Sequence, residues 1–187
     1  MPEVALVYLP VNTLPWACKA LPEVAKPRTP GYSSEIMINR VRAVCYNEMQ
    51  DDWRRHLANP HTHLVSVIDT KGTVILPLDA PRTITLRFDD IAADDPRPLF
   101  GWERAMTADQ AAMLVDFLDE VHEKPRACEV VINCTAGVSR SGAIATFCLE
   151  RYKPFGLRFR EENPNIKPNQ YVLRLLKEQA ARKDARG

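Results

Sequence analysis

Five residues, Thr135, Ala136, Gly137, Val138 and Ser139, separate Cys134 from Arg140, and that spacing puts a thiol and a guanidinium on one short loop. The β-branched run Val130, Val131, Ile132 leads into the loop, and beyond Ser141 the residues Ala143, Ile144, Phe147 and Cys148 fall on one side of a helix. A strand feeds a loop that feeds a helix. Such a loop turns successive backbone N–H groups inward and adds the positive end of the helix dipole, which makes a seat for an anion. Arg140 offers a planar fork of donors that matches two phosphate oxygens and stays charged. Cys134, at the floor of the same positive pocket, is expected to ionise below the free thiol value of about 8.5. A thiolate beneath a bound phosphate is a nucleophile aimed at phosphorus. A Cys-x5-Arg pair alone arises often by chance. The apolar strand before it, Gly137 within it, Ser139 and Ser141 around the arginine and the helix after it supply the context that the motif requires.

The elements that must position this loop are legible on both sides of it. Thr107-Ala-Asp-Gln110 is a capping box, and Ala111, Leu114, Val115, Leu118 and Val121 form one apolar helical face, ending before Pro125. This helix is the crossover of a βαβ unit, so the strands on either side run parallel. The earlier strand spans Thr83–Phe88, where Ile84, Leu86 and Phe88 alternate with Thr83, Thr85 and Arg87, and it ends in Asp89-Asp90. Acids at the end of a strand in an α/β sheet lie where ligands bind. Ahead of it come a strand within Ile36–Val44, a helix over Tyr46–Leu57 with Met49, Trp53 and Leu57 at four-residue spacing, and a short strand Leu64–Ile68 ended by Asp69 and Gly72. Thr73–Leu78 is a further apolar run. His56, His61 and His63 read as solvated loop histidines rather than a metal site, since no second cluster completes one. A short helix over Leu157–Glu162, turn chemistry over 163–169 and an amphipathic helix over Tyr171–Ala181 close the chain, with 182–187 a fraying tail.

Cys134-x5-Arg140 followed by Ser141 resembles the signature of the cysteine-dependent protein tyrosine phosphatases. The stretch Ala136–Gly142 is most similar to the small dual-specificity-type branch and its bacterial and phage relatives. The resemblance covers about residues 36–181 and implies one α/β domain with a central, mainly parallel sheet flanked by helices. It implies hydrolysis of phosphomonoesters on tyrosine, with dual specificity open, through a phosphocysteine. Cys134 would be the nucleophile. Arg140 and the backbone of Thr135, Ala136, Gly137, Val138 and Ser139 would hold the phosphate. An aspartate at the end of a strand would be the general acid: Asp90 fits best, Asp89 is the alternative, and Asp94 and Asp95 lie further out. Ser141 would hydrogen-bond the thiolate. The pattern departs at Asn133, where the family has His, and Asn133 is expected to hydrogen-bond the loop backbone instead. The Pro168-Asn169 step also resembles the family, where such a step precedes the last helix. A phosphate-binding module with weak or no turnover is the competing reading, and arsenate reduction is a second.

Composition narrows the partners. A formal charge of +1 over 187 residues gives no overall field to recruit nucleic acid or a membrane, and no stretch is long and apolar enough to span a bilayer. Five irregularly spaced cysteines form no disulfide framework and suit a reducing cytoplasm. The apolar patch Val4–Leu9 lacks a basic leader and is interrupted by Pro10 and Pro15, so no signal peptide is expected. Prolines 2, 10, 15, 22, 27 and 30 mark residues 1–35 as an extended arm. Pro96, Pro98, Phe100 and Trp102 mark 92–105 as an inserted loop. The expected partner is a phosphorylated protein or peptide, and neither metal nor other cofactor is called for.

Overall fold

The computed structural model describes residues 38–74, 76, 80–91, 104–153 and 156–187. The proline-marked arm, positions 92–103 of the inserted loop and parts of the 73–78 run lie outside these.

Among the described residues, four strands and five helices follow one another as β1 (Ile38–Cys45), α1 (Tyr46–Ala58), β2 (Thr62–Ile68), β3 (Thr83–Arg87), α2 (Ala108–His122), β4 (Cys128–Cys134), α3 (Arg140–Tyr152), α4 (Gly156–Glu162) and α5 (Gln170–Asp184). The strands form one sheet in the order β1-β4-β2-β3, with every pairing parallel. Thus β4, which carries the cysteine at its carboxyl end, is an interior strand flanked by the ends of β1 and β2. The described residues form a single α/β domain with helices on both faces of the sheet.

Alternation along β4 divides the core. Val130, Ile132 and Cys134 belong to a large cluster with the apolar stripe of α2, with Ala143, Ile144 and Phe147 of α3, and with Val172 and Leu176 of α5. Val131 faces the other way, against Val44, Leu64, Met49 and Leu76, with Trp53 and Leu57 of α1 packed on them. A side-chain period of two lets one strand serve both clusters. The interior strand β2 is buried at every residue, as a parallel strand covered on both faces should be.

The capping box of α2 forms as read: the Thr107 hydroxyl accepts from Gln110 N at 3.2 Å, and the Gln110 side chain accepts from Thr107 N at 3.0 Å. Two expectations fail. Neither His56 nor His63 is a solvated loop residue: His56 lies in α1 with its Nε2 buried, and His63 lies in β2, 1 % exposed, edge-on to Phe117. The strand begins two residues earlier, at Thr62, because β2 pairs with β4 from Thr62 onward and this carries His63 inside. The tail also does not fray from 182. Helix α5 continues to Asp184 because Lys183 meets Asp116 at 2.6 Å and Asp119 at 3.0 Å, while Arg151 of α3 pairs with Asp184 at 2.9 Å. These ion pairs join the last turn to α2 and α3, a tertiary tie that local composition does not report.

Candidate active site

The loop from Thr135 to Ser139 leaves the carboxyl end of β4 and runs into the first turn of α3. Its winding requires Gly137, whose φ of 73° is left-handed and whose Cβ, were there one, would lie 2.7 Å from Cys45 N and from Val44 C. The loop therefore presses backbone to backbone on the end of β1. Three of its carbonyls are held from outside: Thr135 O accepts from Tyr46 N at 3.2 Å, Val138 O from Lys167 N at 3.1 Å, and Ser139 O from Asn169 N at 3.1 Å. Because C=O and N–H of a trans peptide point opposite ways, these contacts turn the N–H groups of Ala136, Ser139 and Arg140 toward the concave side.

Cys134 is 2 % exposed, and its Sγ lies 3.1 Å from Ser141 Oγ. Burial pushes the thiol pKa up, but hydrogen bonds from the Ser141 hydroxyl, from the backbone N–H of Ser141 and Val138, and the Arg140 charge outweigh it, and the net shift is downward. By contrast Cys148, wholly buried with only its own backbone N–H as a donor, is pushed far up. The two thiols differ by environment alone.

Arg140 is 3 % exposed. Its Nη1 donates to Phe88 O at 2.7 Å and pairs with Asp69 Oδ1 at 2.8 Å, and its Nη2 donates to Thr135 Oγ1 at 2.9 Å. Its Nε is buried without any partner. A charged donor left unpaired inside a loop of converging N–H groups is the signature of a site built for an acceptor from outside.

The candidate acids separate cleanly. Asp89 is buried, accepts from Thr70 N at 2.9 Å and Thr70 Oγ1 at 3.1 Å, and is ion-paired with Arg104. It fastens the end of β3 to the turn after β2. Asp90 is exposed, and its Oδ1 accepts from Ser139 Oγ at 2.8 Å and from Asn169 Nδ2 at 2.7 Å. That places its carboxyl group on the rim of the cysteine loop, with Oδ2 free of hydrogen bonds to the described residues.

Asn133 does not do what its position suggested. It is 0 % exposed, and neither its Oδ1 nor its Nδ2 has a hydrogen-bond partner. Residues 133 and 134 point to opposite faces of β4, so the amide lies on the α1 side beside Ser66, its register partner on β2, whose hydroxyl is also unpaired. It contacts no loop backbone by hydrogen bond.

Two members of the site were missed. Asp69, just past β2, holds both Arg140 and Thr135, the latter through Thr135 Oγ1 donating to Asp69 Oδ2 at 3.0 Å. The rule that singled out Asp89 and Asp90, an acid at the carboxyl end of a strand, applies equally to Asp69. Asn169 was read as a helix start, and its side chain does accept from Val172 N at 3.0 Å, but its Nδ2 also reaches Asp90 and Ile91 O. Only tertiary packing, with α5 lying against α2 and α3, brings the start of α5 to the end of β3.

The sequence profile of the protein-tyrosine phosphatase family matches residues 98–155. Among solved structures, the human tyrosine phosphatase-like serine/threonine/tyrosine-interacting protein is 17 % identical with a TM-score of 0.51, over 80 % of this chain and 95 % of that one. Human DUSP28 is 16 % identical with a TM-score of 0.48, over 79 % and 95 %. Tk-PTP in its active form is 20 % identical with a TM-score of 0.46, over 81 % and 99 %. The first of these shares the fold of this chain. No curated protein sequence matches.

Proposed function

We propose that this chain is a member of the cysteine-dependent protein tyrosine phosphatase superfamily and that it hydrolyses phosphomonoesters of protein tyrosine, with serine and threonine esters as further substrates, through a phosphocysteine. The observation that carries this reading is the meeting, in one loop, of a thiol shifted toward its thiolate and a buried guanidinium with an unpaired Nε.

The Cys134 thiolate attacks phosphorus in line, forming the S–P bond as the P–O bond to the leaving group breaks. Arg140 and the inward N–H groups from Thr135 to Arg140 hold the equatorial oxygens, where charge builds in the transition state. Asp90 delivers a proton from Oδ2 to the departing oxygen while Ser139 and Asn169 fix Oδ1. Water then attacks phosphorus with Asp90 taking its proton, and sulfur leaves as the thiolate that Ser141 receives by hydrogen bond. The positive field comes from Arg140 and backbone amides, so this route calls on no cofactor. Four free cysteines among the described residues suit a reducing compartment such as the cytoplasm. No described helix is long and apolar enough to cross a membrane.

The proposed acid, Asp90, already accepts two hydrogen bonds at Oδ1, from Ser139 and Asn169, and this favours a second reading, a phosphate-binding module that turns substrate over slowly or not at all. Hydrolysis of p-nitrophenyl phosphate and of a phosphotyrosine peptide by the wild type and by Cys134→Ser separates the two. The hydrolase reading requires turnover in the wild type and none in Cys134→Ser, with phosphopeptide binding kept. Binding without turnover in both proteins would decide for the module.

A further inference from the structure

The end of β1 brings a second thiol to the cysteine loop. Cys45, the last residue of β1, is the register partner of Cys134, the last residue of β4, in a parallel pair. Val44 packs with Val131 on the α1 face of the sheet, so Cys45, one residue on, points to the opposite face, which is that of Cys134. Neighbouring strands lie about 4.8 Å apart, within the Cα separation of about 4.4–6.8 Å that a disulfide spans. The loop itself rests on this residue, since a Cβ at Gly137 would lie 2.7 Å from Cys45 N. Both cysteines are free, Cys45 half-buried and Cys134 2 % exposed. The other described thiols are not so placed. Cys128 lies at the far end of β4, about 20 Å away along the strand, and Cys148 is sealed inside α3.

We propose that the loop also reduces arsenate, a tetrahedral oxyanion with the shape and charge of phosphate, and that Cys45 is the thiol that resolves the intermediate. The inference rests on the reading of this loop as a phosphate seat and adds a two-electron reaction to it. The Cys134 thiolate attacks arsenic(V), forming an S–As bond while one arsenate oxygen takes up protons and leaves as water. Cys45, its proton given to solvent, then attacks Cys134 Sγ. The S–S bond forms, the S–As bond breaks, and its electron pair stays on arsenic, which departs as arsenite, arsenic(III). Two thiols are oxidised to one disulfide and arsenic gains two electrons. An external dithiol closes the cycle by attacking the more exposed Cys45 sulfur, which makes Cys134, whose thiolate is the stabilised one, the leaving group. Phosphorus(V) takes no electrons from thiols, so the same pair leaves ester hydrolysis untouched.

The test is a single turnover of the full, reduced chain mixed with arsenate and no other reductant. Arsenite is measured by chromatography with elemental mass spectrometry, and protein thiols by titration. One arsenite should form per chain with the loss of two thiols, and peptide mapping should find Cys45 joined to Cys134. Cys45→Ser should lose arsenite formation while keeping wild-type turnover of p-nitrophenyl phosphate, and Cys128→Ser should form arsenite as the wild type does. Diamide, a two-electron thiol oxidant, checks the geometry without any oxyanion and should give the same Cys45–Cys134 crosslink. No crosslink with diamide would show that the two sulfurs cannot meet and would overturn the proposal. Arsenite formed equally by Cys45→Ser would overturn it too, as would a wild type that hydrolyses the ester and forms no arsenite. A wild type that forms arsenite but hydrolyses no ester would sink the hydrolase reading alone and leave the proposal standing. Neither product from the wild type would end both.

Discussion

Replacing Gly137 by alanine tests the winding of the loop on which all the chemistry depends. Two costs add at this position. A left-handed residue with a Cβ costs about 1–2 kcal/mol, and the φ of 73° is left-handed. The new methyl would also lie 2.7 Å from Cys45 N and Val44 C and 2.9 Å from Val44 O, all backbone of β1 that cannot rotate aside. Overpacking of this kind costs about 1–3 kcal/mol. The expected loss is therefore about 2–5 kcal/mol, against a total stability on the order of 5–15 kcal/mol for a domain. With a urea slope of about 2 kcal/mol per molar, the unfolding midpoint should fall by roughly 1 M or more. Gly142→Ala is the internal control. It lies inside α3, where alanine gains about 1 kcal/mol of helix propensity, and its Cβ would meet Ile166 Cβ at 3.1 Å, a contact relieved by a shift of a few tenths of an ångström in the segment carrying Ile166. Urea titration of both variants, with p-nitrophenyl phosphate turnover as a second readout, should show Gly137→Ala destabilised and inactive and Gly142→Ala near wild type. A Gly137→Ala protein with an unchanged midpoint and unchanged turnover would refute the account of how the loop is wound.

Three further outcomes follow from the same geometry. Ser141→Ala removes a hydrogen bond to the Cys134 sulfur, so the thiolate is less favoured, the alkylation profile of Cys134 should move to higher pH, and turnover should fall by about tenfold or more; an unmoved profile would sink the Ser141 role. Asp90→Asn should lower turnover of a phosphotyrosine peptide by about 10²–10⁴-fold and that of 2,4-dinitrophenyl phosphate much less, since an activated leaving group needs no proton; equal losses on both would argue against Asp90 as the acid. Burial, reinforced by Lys124 and Arg82, pushes His63 down to about 4. The unfolded chain takes up a proton below about pH 6.5 that the folded chain refuses until about pH 4, so stability falls across that window by up to about 3 kcal/mol. In urea titrations at pH 7 and pH 4.5, His63→Gln should lose less stability on acidification than the wild type, and an equal loss would mean that folded His63 is already charged.

What sequence reasoning reached was set by local chemistry. Strand, loop and helix around Cys134 follow one another without a gap, and the anion seat is a property of about a dozen consecutive residues. The α2 capping box and its stripe are equally local. The choice between Asp89 and Asp90 was not local. It depends on Arg104 and Thr70 claiming Asp89, and on Ser139 and Asn169 meeting Asp90, contacts made by elements far apart in the chain. Asp69 escaped for the same reason, since its importance comes from β2 lying beside β4, and the sheet order is a tertiary fact. His63 and the last turn of α5 were misjudged because composition suggested solvent where strand pairing and three ion pairs supply cover.

The departure at Asn133 has a different meaning once the strand is seen edge-on. Side chains alternate along β4, so residue 133 faces the α1 layer while residue 134 faces the α3 layer, and no side chain at 133 can touch the sulfur. What lowers the Cys134 pKa comes from its own side: the Ser141 hydroxyl, the N–H groups of Ser141 and Val138, and the Arg140 charge. None of these passes through Asn133. Its unpaired amide, with the unpaired Ser66 hydroxyl beside it, is therefore a cost borne by the packing between β4, β2 and α1 rather than by the nucleophile. A side chain at 133 can influence catalysis only by shifting the backbone on which the loop begins, and that backbone is already held at its other edge, where Tyr46 N donates to Thr135 O.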